Sequence, residues 1–200
     1  SHAALESLSR DHPHNAVFRR DFGVACERVG FSYQRAGDIK KALPYLEKSV
    51  QTAAELVEAE PGYIEHQLDL ARGRCRVGEI QLALGRTEAA RRSFDQYVRQ
   101  CEAFAEHHTG VSRARRTLGV AYYKMGELES AQATNEALTD DLRRIRWQEA
   151  RNWFRKCQDV FADMKNREML EAGDLGVPAE IAADIAACDV QLASLRPDER

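Results

Sequence analysis

The stretch Val29-Gly30-Phe31-Ser32-Tyr33-Gln34-Arg35-Ala36-Gly37-Asp38-Ile39-Lys40-Lys41-Ala42-Leu43-Pro44-Tyr45-Leu46 decides the fold. It sets a glycine and a tyrosine at helical spacing and breaks at Gly37-Asp38. It then resumes with a small residue and a large apolar one. The pattern returns 48 residues later. There Pro61, Asp69, Leu70, Val77, Gly78, Gly85, Ala90 and Phe94 align with Pro13, Asp21, Phe22, Val29, Gly30, Gly37, Ala42 and Leu46. A third copy follows at a shift of 41, where Leu118, Gly119, Tyr122 and Gly126 repeat Val77, Gly78, Gln81 and Gly85. A fixed period of this size marks helical units that bury their apolar faces on one another.

Between the breaks the apolar period is helical. Val111, Ala114, Leu118, Tyr122 and Met125 share one face, as do Leu142, Ile145, Ala150, Phe154, Cys157, Phe161 and Met164. Alternating β-branched runs are absent, so no strands are expected. The spacing predicts helices over 15–36, 39–59, 62–84, 87–107, 111–126, 140–166 and 178–193. Gly37, Gly85 and Gly126 fall just past predicted helix ends, where left-handed backbone suits glycine. Asp38 and Thr139 stand where they can cap the next helix. Pro44, beyond the first turn of its helix, costs one backbone hydrogen bond.

Gly30, Gly78 and Gly119 recur inside helices despite a cost of about 1 kcal/mol each. Their common register predicts close approach of a second helix, with Ala42 and Ala90 as small partners. Tyr33, Leu46, Phe94, Tyr97 and Tyr122 fill the remaining space. The third copy is interrupted, because its small-then-aromatic pair, Ala150 and Phe154, arrives late. Ala131 also keeps the earlier spacing, but Asn135 then falls where Leu46 and Phe94 fall. The preferred alignment places an inserted loop at about 127–139.

The resulting organisation has five parts. Residues 1–12 are a cloning remnant, suggested by the Ser1-His2 start, followed by the end of a preceding helix. Units span 13–60, 61–109 and 110–166, and 167–200 form a capping helix and tail. The fold class is all-α: a right-handed superhelical stack of antiparallel helix pairs with a C-terminal capping helix.

Composition limits the function. The net charge is −3, with 30% charged and 44% hydrophobic residues, which indicates a water-compatible chain with no strong pull toward nucleic acid. No apolar run approaches the roughly 20 residues of a membrane span. Five cysteines at wide spacing, with no Cys-x-x-Cys pair, read as small packing residues and lean toward a reducing, cytoplasmic setting. His107-His108 read as helix-end residues, and no metal or cofactor site is expected. The arginines from Arg143 to Arg155 are offset by Asp140, Asp141 and Glu149, a solvated helix face. No catalytic motif occurs, so an enzyme is not expected.

The pattern Val29-Gly30-x-x-Tyr33-x-x-x-Gly37-Asp38-x-x-x-Ala42-x-x-x-Leu46 resembles the tetratricopeptide repeat, as does Leu118-Gly119-x-x-Tyr122-x-x-x-Gly126-Glu127. In the second copy Gln81 replaces the expected tyrosine. The units exceed the usual repeat of about 34 residues, so longer helices are expected. The segments from Pro61 to Leu70, Trp147 to Phe154 and Glu180 to Asp189 resemble the carboxy-terminal repeat regions of bacterial serine/threonine protein kinases and related signalling proteins. The resemblance implies a regulatory or scaffolding arm, since no kinase motif is present in this chain.

A partner face follows by projecting outward from the buried register of the first helices. It comprises Phe31, Gln34 and Arg35; Glu79 and Leu82; and Arg113, Arg116, Val120, Tyr123 and Lys124. Apolar, aromatic and arginine groups of this kind suit a protein or peptide partner. Glu27, Arg72 and Cys75 fall on the same face. The alternative is a structural module that self-associates through Trp147 or Trp153 and brings attached domains together. A buried polar pocket would favour a small-ligand sensor instead.

Overall fold

The computed structural model describes residues 2–195. Its helices are α1 (His2–Asp11), α2 (Ala16–Arg35), α3 (Ile39–Ala59), α4 (Ile64–Ala83), α5 (Thr87–His107), α6 (Ser112–Ala133), α7 (Asp140–Asn166) and α8 (Val177–Ser194). A single 3-10 turn spans Ala172–Asp174, and no strand occurs among the described residues. The protein is therefore all-α, with consecutive helices packed against each other. The chain divides into two compact units, Ser1–Tyr97 and Val98–Arg200. The predicted tail beyond Leu195 lies outside the described residues.

In the first unit α2 and α3 form an antiparallel pair. Gly37 closes it with φ +80°, a conformation only glycine adopts without strain. Where Gly30 passes α3, a Cβ would stand 2.7 Å from Leu46 Cγ and 3.2 Å from the Ala42 carbonyl oxygen. The bare backbone therefore sets the interhelix distance, and Leu46 buries fully in the space it leaves. α4 then packs on α3, with Gly73 set against Val50. In the next pair Gly78 faces the Phe94 ring, and Gly85 turns the chain with φ +70°. Gln81, which stands in place of a tyrosine, accepts a 2.7 Å hydrogen bond from Ser93 Oγ. A polar contact thus replaces the expected aromatic one.

The helix caps of the first unit differ from the predicted ones. Asp38 makes no side-chain cap bond to the helix it precedes; its carboxylate pairs with Lys41 Nζ at 2.6 Å. Asn15, overlooked as a cap, accepts from the Phe18 amide at 3.1 Å and starts α2.

The second unit holds the largest departure. Gly126 does not end its helix, and 127–139 is not one inserted loop: α6 continues to Ala133, leaving only a short connection before Asp140. The reason is packing. Gly126 faces Phe154 and Gly119 faces Phe161, seven residues further along each helix. Seven residues are close to two full turns, so the same face stays turned inward. The additional residues lengthen both helices of the pair, and Leu128, Ala133 and Trp147 join the buried set. Phe161 therefore meets Gly119 as Leu46 meets Gly30, whereas Phe154 lies one heptad nearer the turn, against Gly126.

The extended tip is well terminated. Thr139 accepts from the Leu142 amide, and Asp140 and Asp141 stand in the first turn of α7, where carboxylates offset the helix dipole. Arg143 Nε donates to the Ala133 carbonyl at the end of α6, at 3.2 Å. Glu129, 2% exposed, is held by Arg146 at 3.2 Å. α8 packs along α7 through Ile181 and Cys188, as expected for the closing helix.

Candidate partner-binding face

The sequence placed one continuous partner face on the first helix of each pair. The structure gives the two units different local surroundings on those helices.

In the first unit α2 and α4 are joined by ion pairs. Arg20 Nε donates to Asp69 at 2.7 Å, and Glu27 accepts from Arg76 at 2.9 Å and faces Arg72 at 3.3 Å. Glu27 and Asp69 are each 9% exposed while their arginine partners stay partly open to solvent, so these part-buried contacts tie the two helices together. The Asp69 hydrogen bond also raises the pKa of Arg20, keeping its positive charge in place. Above this layer Phe31 is 39% exposed. The Arg76 guanidinium lies 4.5 Å from its ring centre and that of Arg35 lies 6.0 Å away. Gln34 is half-buried, and its Oε1 is buried without a partner. Glu79 and Leu82 are half-buried on α4. These groups make an aromatic and cationic surface.

Arg76 escaped the sequence reading. Its signal was present, because it stands four residues from Arg72 and three from Glu79, on the same helical face.

In the second unit the corresponding residues are engaged within the chain. Arg116 Nε donates to Asp174 at 2.5 Å, and Asp174 is 1% exposed. Tyr123 Oη donates to Asp184 of α8 at 2.9 Å, and its ring packs on Phe154. Burial is the main cause that pushes the Tyr123 hydroxyl pKa well above its ordinary value. Lys124 pairs with Glu127 at 2.8 Å, Val120 is half-buried, and Arg113 is exposed. The chain's own C-terminal segment thus takes two of the groups predicted to meet a partner. Asp174 and Asp184 had no local signal, since they lie far downstream of the residues they bind.

The remaining candidates have structural surroundings. Trp147 is buried; Trp153 lies against Tyr122 with Lys156 Nζ 4.2 Å from its ring centre. Tyr122 donates to Glu102 at 2.9 Å. His107 Nδ1 lies 2.8 Å from the Ala103 carbonyl oxygen, and His108 packs edge-on against Phe104. Burial pushes the thiol of Cys157 up to about 12 and those of Cys26 and Cys188 up to about 11, so they persist as neutral packing groups. Among the described residues no group of three or more His, Cys, Asp and Glu is placed to hold a metal ion. No helix there is long and apolar enough to cross a membrane. No protein-family model matches the chain, and no curated protein matches it.

Proposed function

We infer that the chain is a protein- or peptide-binding module whose partner seats on the α2–α4 face. The observation that carries this is Phe31, half-exposed between Arg35 and Arg76 on helices already joined by part-buried ion pairs. Aromatic and arginine groups held in place lose little side-chain freedom on association. The partner face then comprises Phe31, Gln34, Arg35, Glu79 and Leu82 of the predicted set, together with Arg76, and leaves Arg116 and Tyr123 to internal support. A right-handed tetratricopeptide-like solenoid, serving as a regulatory arm of a bacterial signalling protein such as a serine/threonine kinase, accords with the repeated glycine register.

The test is selection of peptides by display on the full chain, followed by affinity measurement with Phe31→Ala/Arg76→Ala. Loss of about tenfold or more is expected, corresponding to roughly 1.4 kcal/mol or more. Equal binding by the variant removes the face. A second reading, self-association, draws on Leu142 and Ile145, which are 47% and 49% exposed on the extended part of α7. Buried Trp147 is unsuited to that role. Light scattering of wild type and Leu142→Ser/Ile145→Ser checks it, and a monomer at high concentration excludes it.

A further inference from the structure

A cleft of about 280 Å³ opens in the first unit between the first turns of α2 and the approach to α4. It is lined by Ala16, Val17, Arg20, Asp21, Glu60, Tyr63 and His66. We propose that this cleft is an anchoring site for one lysine or arginine side chain of a polypeptide partner.

Four observations support that chemistry. The cleft carries two exposed carboxylates, Asp21 and Glu60, and neither is paired with a cation among the described residues. Its single arginine is already compensated, because Arg20 is bound by Asp69 at 2.7 Å and faces Glu65 at 3.7 Å. The cleft's uncompensated charge is therefore negative. Its walls offer an apolar stem a place to lie, with Val17 65% and Tyr63 48% exposed. An aromatic face of this kind also attracts a cation directly. His66, 3% exposed beneath Tyr63 with ring centres 4.4 Å apart, lines the cleft, and its Nδ1 has no hydrogen-bond partner. A buried polar atom left unpaired calls for an explanation, and a bound group beside it is one.

Shape favours a side chain over a free metabolite. The volume lies at the lower bound of the roughly 300–1,000 Å³ of small-molecule sites, and one face is open. A long side chain enters from that face while its backbone stays outside. Lysine and arginine combine an apolar stem with a terminal cation, which matches walls of Val17 and Tyr63 beside Asp21 and Glu60.

The site lies near the start of α2, whereas Phe31 lies near its end, so the two regions are separable. The experiment titrates the isotopically labelled full chain with N-acetyl-arginine methylamide and with its neutral isostere, N-acetyl-citrulline methylamide, followed by NMR. The arginine probe is expected to shift Val17, Tyr63 and His66 saturably, and the citrulline probe to bind at least about fivefold more weakly. Asp21→Asn/Glu60→Gln, both at exposed positions, is expected to lose a similar factor with an otherwise unchanged spectrum. Equal responses to the two probes, no response to either, or undiminished binding by the variant overturns the site. Phe31→Ala/Arg76→Ala is expected to bind the arginine probe as the wild type does. Failure of the α2–α4 face thus leaves this result readable on its own, and loss of probe binding in that variant overturns the cleft as the place of binding.

Discussion

A Cβ added to Gly126 would stand 2.5 Å from Phe154 Cε1, and one added to Gly78 would stand 2.5 Å from Phe94 Cε1. Neither ring lies in open space, so alanine at either position must displace a packed aromatic group. Alanine gains about 1 kcal/mol of helix propensity over glycine, but overpacking costs about 1–3 kcal/mol. Gly126→Ala is therefore expected to lower stability by up to about 2 kcal/mol in urea unfolding. A gain of stability would show that Gly126 is not a contact position. Gly37 differs, because nothing lies near its Cβ position and its φ is +80°. Gly37→Ala is expected to cost about 1 kcal/mol through backbone strain alone. Arg116→Ala leaves the buried Asp174 carboxylate without its cation and is expected to cost about 1–3 kcal/mol, while peptide affinity stays unchanged. The glycine register was legible because sterics repeat with the sequence. The roles of Arg116 and Tyr123 were not, because their acceptors lie in the segment after α7.

At the scale of elements, helix identity was legible almost throughout. The starts of α3 and α7 and the ends of α3, α5 and α7 fall where apolar period and turn residues put them. α6 was misread because Gly126 repeats the sequence position of the turn glycines Gly37 and Gly85. Its φ is not positive, and two additional turns carry the helix to Ala133. An insertion of seven residues preserves the inward face, so sequence spacing alone registers extra length without showing whether it coils or loops. Amide exchange distinguishes these outcomes. Amides of 127–133 are expected to exchange slowly along with the body of α6, since Leu128 and Glu129 are buried within the pair. Exchange as fast as that of the connection at 135–138 would restore the loop.

Across the whole molecule, alkaline pH tests how completely the core is sealed. The Cys26, Cys157 and Cys188 thiols are raised by burial from an ordinary value of 9.0 to about 11, about 12 and about 11. The unfolded chain loses these protons first, so their stabilising effect is full below pH 9 and declines as pH rises toward the folded values. The urea midpoint is expected to fall between pH 8 and 10.5 by the equivalent of about 2 kcal/mol or more. A flat profile would mean that these thiols are open to solvent.

Function was less legible than fold. The repeated scaffold places similar surfaces on successive helices, but side chains at the same position differ between copies, and only tertiary contacts reveal which are already engaged. The central claim is that the partner meets α2 and α4, while Arg116 and Tyr123 on α6 are engaged by the chain itself. The most direct measurement is NMR mapping of a display-selected peptide on the labelled full chain. Shifts concentrated at Phe31, Arg35, Arg76 and Leu82 are predicted. Shifts concentrated at Arg113, Arg116 and Tyr123, with the α2–α4 face silent, would contradict it.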